Sequence, residues 1–349
     1  LFQRALNGEE LPEVVYGEVV PEDEIPVIKG ATIKGLVEIA RGCGRGCAFC
    51  VPTLQRYRCL PLNHILEEVG VNLRAGRQPL LHAEDVLRYG ARGIEVNREA
   101  VIKLFKTVKE YPGVKEVGIS HFALASVASA PEVIEEISDI LEIDERRWFS
   151  GQTGIETGSP RLMERHMRGK CKPFKPEEWP DVVLRAFEIL SENNWVPCST
   201  LILGLPGETE RDIEDTISLV ERLRPFKSLI VPLFLTAMGG LKGKTPSFTL
   251  EMMTERHTEL FLKCWEHNLD WTPTLLKEWI PLNIDNVVIR HGLYFVLSRG
   301  VERAQELIRI CKEEYNYNLK AMVKDVRSGR RWSPPLPVQI IRRLIRVKA

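Results

Sequence analysis

Between residue 35 and about residue 235, short apolar runs alternate with stretches in which apolar residues recur every three or four positions. The runs at 35–40, 79–82, 115–120, 148–156, 198–203 and 229–235 predict six strands. Between them, Ile65, Val69 and Leu73 form one helical stripe, and Val101, Leu104, Phe105 and Val108 form another behind Asn97 as N-cap. Val133, Ile134, Ile137 and Leu141 follow Pro131 at a helix start, and a long helix is predicted over roughly 177–193. Thr209 with Asp212 has the pattern of a capping box before a helix reaching about residue 223. Strands alternating with helices predict an α/β fold with a parallel sheet wound by right-handed crossovers, either an open sheet or a partial barrel. Both place a site at the carboxyl ends of the strands.

The flanks differ in style. Residues 1–34 read as an acidic, proline-punctuated connector with Glu9, Glu10, Glu13, Glu18, Glu22, Asp23 and Glu24, and the chain begins at Leu1 rather than Met. This predicts a connector from an N-terminal domain absent from these residues. After the core at 35–240, residues 241–319 predict a helical subdomain. It starts with an amphipathic helix over 248–271 and continues past Trp279, Tyr294 and Phe295. The tail, 320–349, holds nine Lys or Arg against one acid, Asp325, and 338–348 reads as a short basic amphipathic helix.

Composition narrows the class. With 44% apolar and 28% charged residues and a formal net charge of zero, the chain is ordinary globular protein with no overall pull toward nucleic acid or membrane. Its longest apolar stretch, 229–241, is too short to span a bilayer and contains Pro232. Eight cysteines without paired spacings predict a reducing, cytoplasmic setting.

Three of those cysteines carry the chemistry. Cys43, Cys47 and Cys50 lie in Arg-Gly-Cys-Gly-Arg-Gly-Cys-Ala-Phe-Cys at 41–50, directly after the first strand. Three thiolates in one glycine-rich loop can bind three irons of a 4Fe–4S cluster and leave the fourth open. Gly42, Gly44 and Gly46 let the backbone wrap the cluster, and Arg41 and Arg45 add positive charge. A structural zinc site would need a fourth ligand, which only Cys59 could supply. Cysteines 59, 171, 198, 264 and 311 are scattered singly and read as small buried hydrophobes. His257, Cys264 and His267 lie near one helical face, but no fourth ligand accompanies them.

The cysteine loop resembles that of the radical S-adenosylmethionine (SAM) enzymes, whose signature is Cys-x3-Cys-x-aromatic-Cys with Phe49 here as the aromatic. The resemblance extends over about 35–240 and implies a partial (β/α)6 TIM-like barrel. It implies that Glu84 or Asp85, ending the second strand, accepts from the SAM amino group. Glu156, in Gly-Ile-Glu-Thr-Gly-Ser-Pro at 154–160, would accept from the ribose hydroxyls. Ile202 and Gly204, in Leu-Ile-Leu-Gly-Leu-Pro-Gly-Glu-Thr at 201–209, would meet the adenine through their backbone. His121, at the end of the third strand, is a candidate to face substrate. The implied chemistry is reductive cleavage of SAM to methionine and a 5′-deoxyadenosyl radical, with a flavodoxin- or ferredoxin-like electron donor.

The motif pair and the acidic lead further resemble the cobalamin-associated branch, which implies cobalamin on a domain preceding this chain. The same branch implies methylation, ring formation or carbon–carbon bond formation at an unactivated carbon of a small molecule or lipid. The basic tail is then a candidate for membrane-surface contact or, alternatively, for RNA phosphates. The competing readings are a tRNA-modifying methylthiotransferase and a non-enzymatic zinc- or cluster-bearing interaction module.

Overall fold

A computed structural model describes residues 2–11 and 19–329; the predicted basic helix at 338–348 lies outside the described residues. Six strands form the core: β1 (Leu36–Glu38), β2 (Leu80–His82), β3 (Gly118–Ile119), β4 (Gln152–Glu156), β5 (Cys198–Leu203) and β6 (Leu229–Phe234). All pair in parallel and in chain order. β1 pairs β2, and β2 pairs β3. β4 pairs β5, which pairs β6. The two halves are stitched by a single parallel bridge between His121 and Gln152. Among the described residues β1 and β6 do not pair, so the sheet is an open, partial barrel. The strands form where the apolar runs predict them because Val37, Leu81, Ile119, Ile155, Leu201 and Ile230 are all buried.

The intervening helices cover the outside. They are α1 (Leu62–Arg74), α2 (Arg98–Lys109), α3 (Leu124–Ser129), α4 (Pro131–Leu141), α5 (Pro160–Met167), α6 (Trp179–Glu192) and α7 (Glu210–Leu223). Asn97 caps α2 by accepting from the Ala100 amide, and Asp212 of the Thr209 capping box accepts from the Thr209 amide at 2.8 Å. One continuous apolar core is anchored by Trp179, Trp195, Phe105 and Phe187. Their indoles are satisfied inside it: Trp195 Nε1 donates to Ser138 Oγ, and Trp179 Nε1 to the Ile155 and Thr157 carbonyls.

After β6 come α8 (Glu255–Asn283), α9 (Val287–Glu313) and α10 (Leu319–Arg327). The helix expected over 248–271 starts later because Thr254 caps it, accepting from the His257 amide, and it runs on through Pro273 and Pro281. None of the helices among the described residues is long and apolar enough to cross a membrane.

Candidate active site

The cysteine loop leaves the barrel at the carboxyl end of β1 through a two-residue antiparallel ribbon, Ala40–Arg41 with Arg58–Cys59. Gly42, Gly44 and Gly46 all take left-handed backbone, with φ of 77°, 69° and 76°. A Cβ on Gly42 would lie 2.7 Å from the carbonyl oxygens of both Gln55 and Arg56, so the loop can fold back on itself only with glycine there. The Gly46 amide donates to Thr53 Oγ1 at 2.6 Å, and the Ala48 amide to the His166 carbonyl at 2.8 Å, which ties the loop to the end of α5.

Two buried arginines hold this loop to its neighbours. Arg45 Nη2 donates to Asp85 Oδ2 and Ser126 Oγ, both at 2.9 Å, while Nη1 donates to the carbonyls of Lys170 and Lys172. Arg88 Nη1 donates to the Cys43 carbonyl at 2.7 Å and Nη2 to the Gly93 carbonyl at 2.6 Å. Gly169 makes the first contact possible, because a Cβ there would sit 1.9 Å from the Arg45 carbonyl oxygen. Arg41 and Arg45, expected to add positive charge to the loop, are both ion-paired, Arg41 with Glu38 and Arg45 with Asp85.

Cys47 is buried, and Cys43 and Cys50 are half-buried. Burial pushes the Cys47 thiol up to about 11, Lys170 pulls against that, and the neighbouring Cys43 and Cys50 add to it. Cys50 is raised for the same first reason, with Cys43 again contributing. The three sulfurs thus share one electrostatic neighbourhood. Among the described residues, no three His, Cys, Asp or Glu side chains converge as ligands of one metal ion. A zinc site needs four donors at about 2.3 Å from one centre if they are thiolates, whereas cluster thiolates each take a different iron. Cys59, the only available fourth zinc ligand, is occupied elsewhere: its Sγ lies 3.3 Å from Tyr57 Oη and accepts from the Gly90 amide. The donor set and the glycine cradle fit a cluster better than a zinc ion.

A cavity of about 540 Å³ opens beside the loop, with Gly42, Val51, Glu38, His82 and Glu84 in its wall. The adjacent carboxylates predicted at the end of β2 separate here. Glu84 lines the cavity, but Asp85 does not: its Oδ2 accepts from Arg45 and Ser126, and its Oδ1 from the Ala123 amide. The expectation that Asp85 receives a ligand amino group is corrected by that commitment. His82 Nδ1 meets Ser120 Oγ at 2.9 Å. The His121 ring stands edge-on to His82 at 5.9 Å, its Nδ1 buried without a hydrogen-bond partner. Burial holds the His121 imidazole below its ordinary pKa, so its neutral form is favoured. Phe49 is partly buried and packs onto the apolar core.

Glu156, at the end of β4, has left-handed backbone (φ 63°) next to a register shift in the strand, a conformation that costs a non-glycine residue free energy. Its carboxylate is already held, by Lys170 Nζ at 3.1 Å and Thr200 Oγ1 at 3.2 Å. Burial works against the charge on Lys170, but Glu156 and the nearby Cys47 hold the ammonium above its ordinary value. Lys170 is the residue that sequence reasoning missed. It stands in a polar loop with nothing local to distinguish it from Lys172 or Lys175.

Ile202 is half-buried on β5. The Gly204 amide donates to Glu208 Oε2 at 2.8 Å, so it is not free for a ligand, and the same oxygen meets His257 Nε2 at 3.0 Å. His257, Cys264 and His267 do not form a site. His257 is spent on Glu208 and Thr254, and His267 Nε2 on Ser228 Oγ.

Residues 37–220 match the family model described as the Radical SAM superfamily. The chain belongs to the radical SAM superfamily. Its cysteine loop, barrel and strand-end carboxylates accordingly belong to a radical SAM enzyme, and the cofactors of that family are a 4Fe–4S cluster and SAM. Among similar proteins are tRNA-2-methylthio-N(6)-dimethylallyladenosine synthases. That of Magnetococcus marinus is 27% identical, over 64% of this chain and 49% of its own length. That of Helicobacter pylori strain P12 is 26% identical, over 66% and 53%. That of Caldicellulosiruptor saccharolyticus is 24% identical, over 95% and 67%. The chain thus spans about half to two thirds of the length of these relatives. A solved structure of the radical S-adenosylmethionine methyltransferase TsrM from Kitasatospora setae, with cobalamin and a 4Fe–4S cluster bound, superposes with a TM-score of 0.45 at 13% identity, over 59% of this chain and 38% of that one. That likeness is too slight to bear on cofactor or substrate.

Proposed function

We propose that this chain is the SAM-cleaving barrel of an RNA-modifying radical SAM enzyme, acting on a tRNA base. Residues 35–240 form the catalytic barrel in this reading. Cys43, Cys47 and Cys50 hold the cluster, and Glu84 accepts from the amino group of SAM. Lys170 presents an ammonium to anionic groups bound beside Cys47, and Glu156 fixes that ammonium in place. When bound together, the cluster and SAM would supply one-electron reductive cleavage of SAM to methionine and a 5′-deoxyadenosyl radical, which becomes 5′-deoxyadenosine by taking a hydrogen atom from the substrate, with the electron coming from a flavodoxin- or ferredoxin-like donor. The protein's part is to orient the reactants and exclude water.

The observation that carries the reading is the glycine-cradled loop of three cysteines at the carboxyl end of a parallel barrel, beside the buried Lys170–Glu156 pair. The tRNA-modifying activity named for the relatives favours RNA over the lipid or small-molecule substrate expected from the cobalamin-associated branch. The test is anaerobic incubation of the reconstituted protein with SAM, reductant and unfractionated tRNA, followed by nucleoside mass spectrometry. The expected result is a tRNA nucleoside of increased mass and 5′-deoxyadenosine release stimulated by tRNA. Stimulation by a lipid extract and not by tRNA would overturn the RNA assignment.

A further inference from the structure

A second and larger cavity, of about 830 Å³, lies outside the site just described. One wall is the loop after β2, at residues 91–98; the other is the loop after α5, at 168–176. Both loops are hydrogen-bonded to the cysteine-loop segment, 91–98 through Arg88 and 168–176 through Arg45, so the cavity stands beside that loop on the rim of the barrel. Its lining includes the cations Arg92, Arg98, Arg168, Lys172 and Lys175 against one carboxylate, Glu95. Two of the five are engaged, Arg98 with Glu136 and Arg168 with Glu164. Arg92, Lys172 and Lys175 are exposed, and no ion-pair partner within 4 Å is seen for them among the described residues. Three unpaired cations facing one concavity repel each other unless an anion joins them.

The walls are also fixed to the cysteine loop. Arg88 bridges the Cys43 carbonyl to the Gly93 carbonyl in one wall, and Arg45 donates from the same loop to the Lys172 carbonyl in the other. Both guanidiniums are buried, with Arg88 2% and Arg45 5% exposed. The spacing of the two cationic walls is therefore set by the element that carries the three cysteines. An anion seated between them would be held at a fixed distance from the reacting centre. Asn97 and Arg98, at the N-terminal end of the twelve-residue helix α2, also line the cavity, and the helix dipole there favours negative charge as well.

We infer that this cavity is a phosphodiester-binding site, which takes the backbone of the RNA substrate through Arg92, Lys172 and Lys175 and so presents one nucleotide to the cysteine loop. The inference rests on the RNA reading above and adds the surface that performs it. Phosphate contacts of this kind position a nucleic acid without reading its sequence. Binding through this cavity is accordingly salt-dependent and tolerant of base identity outside the modified nucleotide.

The test measures fluorescence anisotropy of the reconstituted full chain with a labelled tRNA anticodon stem-loop across a salt series. Wild type is compared with the combined Arg92→Ala, Lys172→Ala and Lys175→Ala variant, with Lys172→Ala alone, and with a charge-matched control carrying Lys103→Ala, Lys106→Ala and Arg185→Ala on the barrel's outer helices. Iron content and thermal midpoint check that each variant is folded. The combined variant should bind about tenfold or more weaker near 0.1 M salt. Its log–log salt slope should fall by about one for each phosphate contact removed. Lys172→Ala should give a partial loss, and the control should bind as wild type does. Equal binding by wild type and the cavity variants would overturn the cavity assignment and leave the RNA reading standing. No binding by wild type at low salt would remove the RNA reading and the inference with it. Binding to vesicles containing anionic lipid in place of RNA, lost in the same variants, would reassign the cavity to a lipid headgroup and overturn the inference.

Discussion

The barrel rim and helix α9 solve opposite problems. Around the cysteine loop, charged side chains are buried and every one that matters is tied: Arg45 to Asp85, Arg88 to two carbonyls, Lys170 to Glu156. Helix α9 is 27 residues long, yet only Ile308 and Cys311 are buried in it, while Val288 is 80% and Phe295 63% exposed. The rim spends its sequence on polar satisfaction and on backbone crossings that admit no side chain. The helix asks little more of its residues than that they be helical. Substitutions of the same chemical size should therefore have opposite consequences in the two regions.

The largest effect is expected from Asp85→Ala. It leaves the Arg45 guanidinium charged and buried without its carboxylate, a loss of about 3–5 kcal/mol. Urea unfolding measures it, and a change below 1 kcal/mol would show that the rim does not depend on that pair. Next is Gly169→Ala, whose new methyl would collide with the Arg45 backbone carbonyl rather than with a movable side chain. It should cost about 3 kcal/mol and lower iron incorporation along with stability.

The junction between barrel and helices should show itself as a pH dependence. Burial lowers the His267 imidazole to about 4. The unfolded chain takes up that proton near pH 6.5, whereas the folded one does not until about pH 4. Stability should thus fall as pH drops through that window, by up to roughly 3 kcal/mol, and this part of the loss should cease below it. His267→Gln should flatten the slope. The smallest effect, with the opposite sign to Gly169→Ala, belongs to Gly292→Ala on α9. A Cβ there meets nothing within 4 Å, and the unfolded chain loses freedom, so a gain of about 0.5–1 kcal/mol is expected.

The same contrast explains what could be read from the chain. The six strands were legible because each is a short apolar run buried inside a barrel, and Asn97, Pro131 and Thr209 marked their helices by local capping chemistry. The cysteine spacing likewise lies within one loop. What escaped depends on residues distant in sequence. Arg45 reaches carbonyls 125 and 127 positions away, and that crossing makes it a clamp rather than a free charge. Glu84 and Asp85 are neighbours with identical chemistry, and only the presence of Arg45 and Ser126 on one side separates their roles. Lys170 is one lysine among several in its loop until Glu156, on another element, selects it. Helices α3 and α5, of six and eight residues, are too short to establish a periodicity of their own.

The most direct measurement is EPR of the anaerobically reconstituted, reduced protein with and without SAM, alongside iron and zinc analysis. The expected result is a reduced 4Fe–4S signal that changes when SAM is added, lost in Cys47→Ala and kept in Cys59→Ala. Stoichiometric zinc without iron, or a cluster that survives Cys47→Ala, would contradict it.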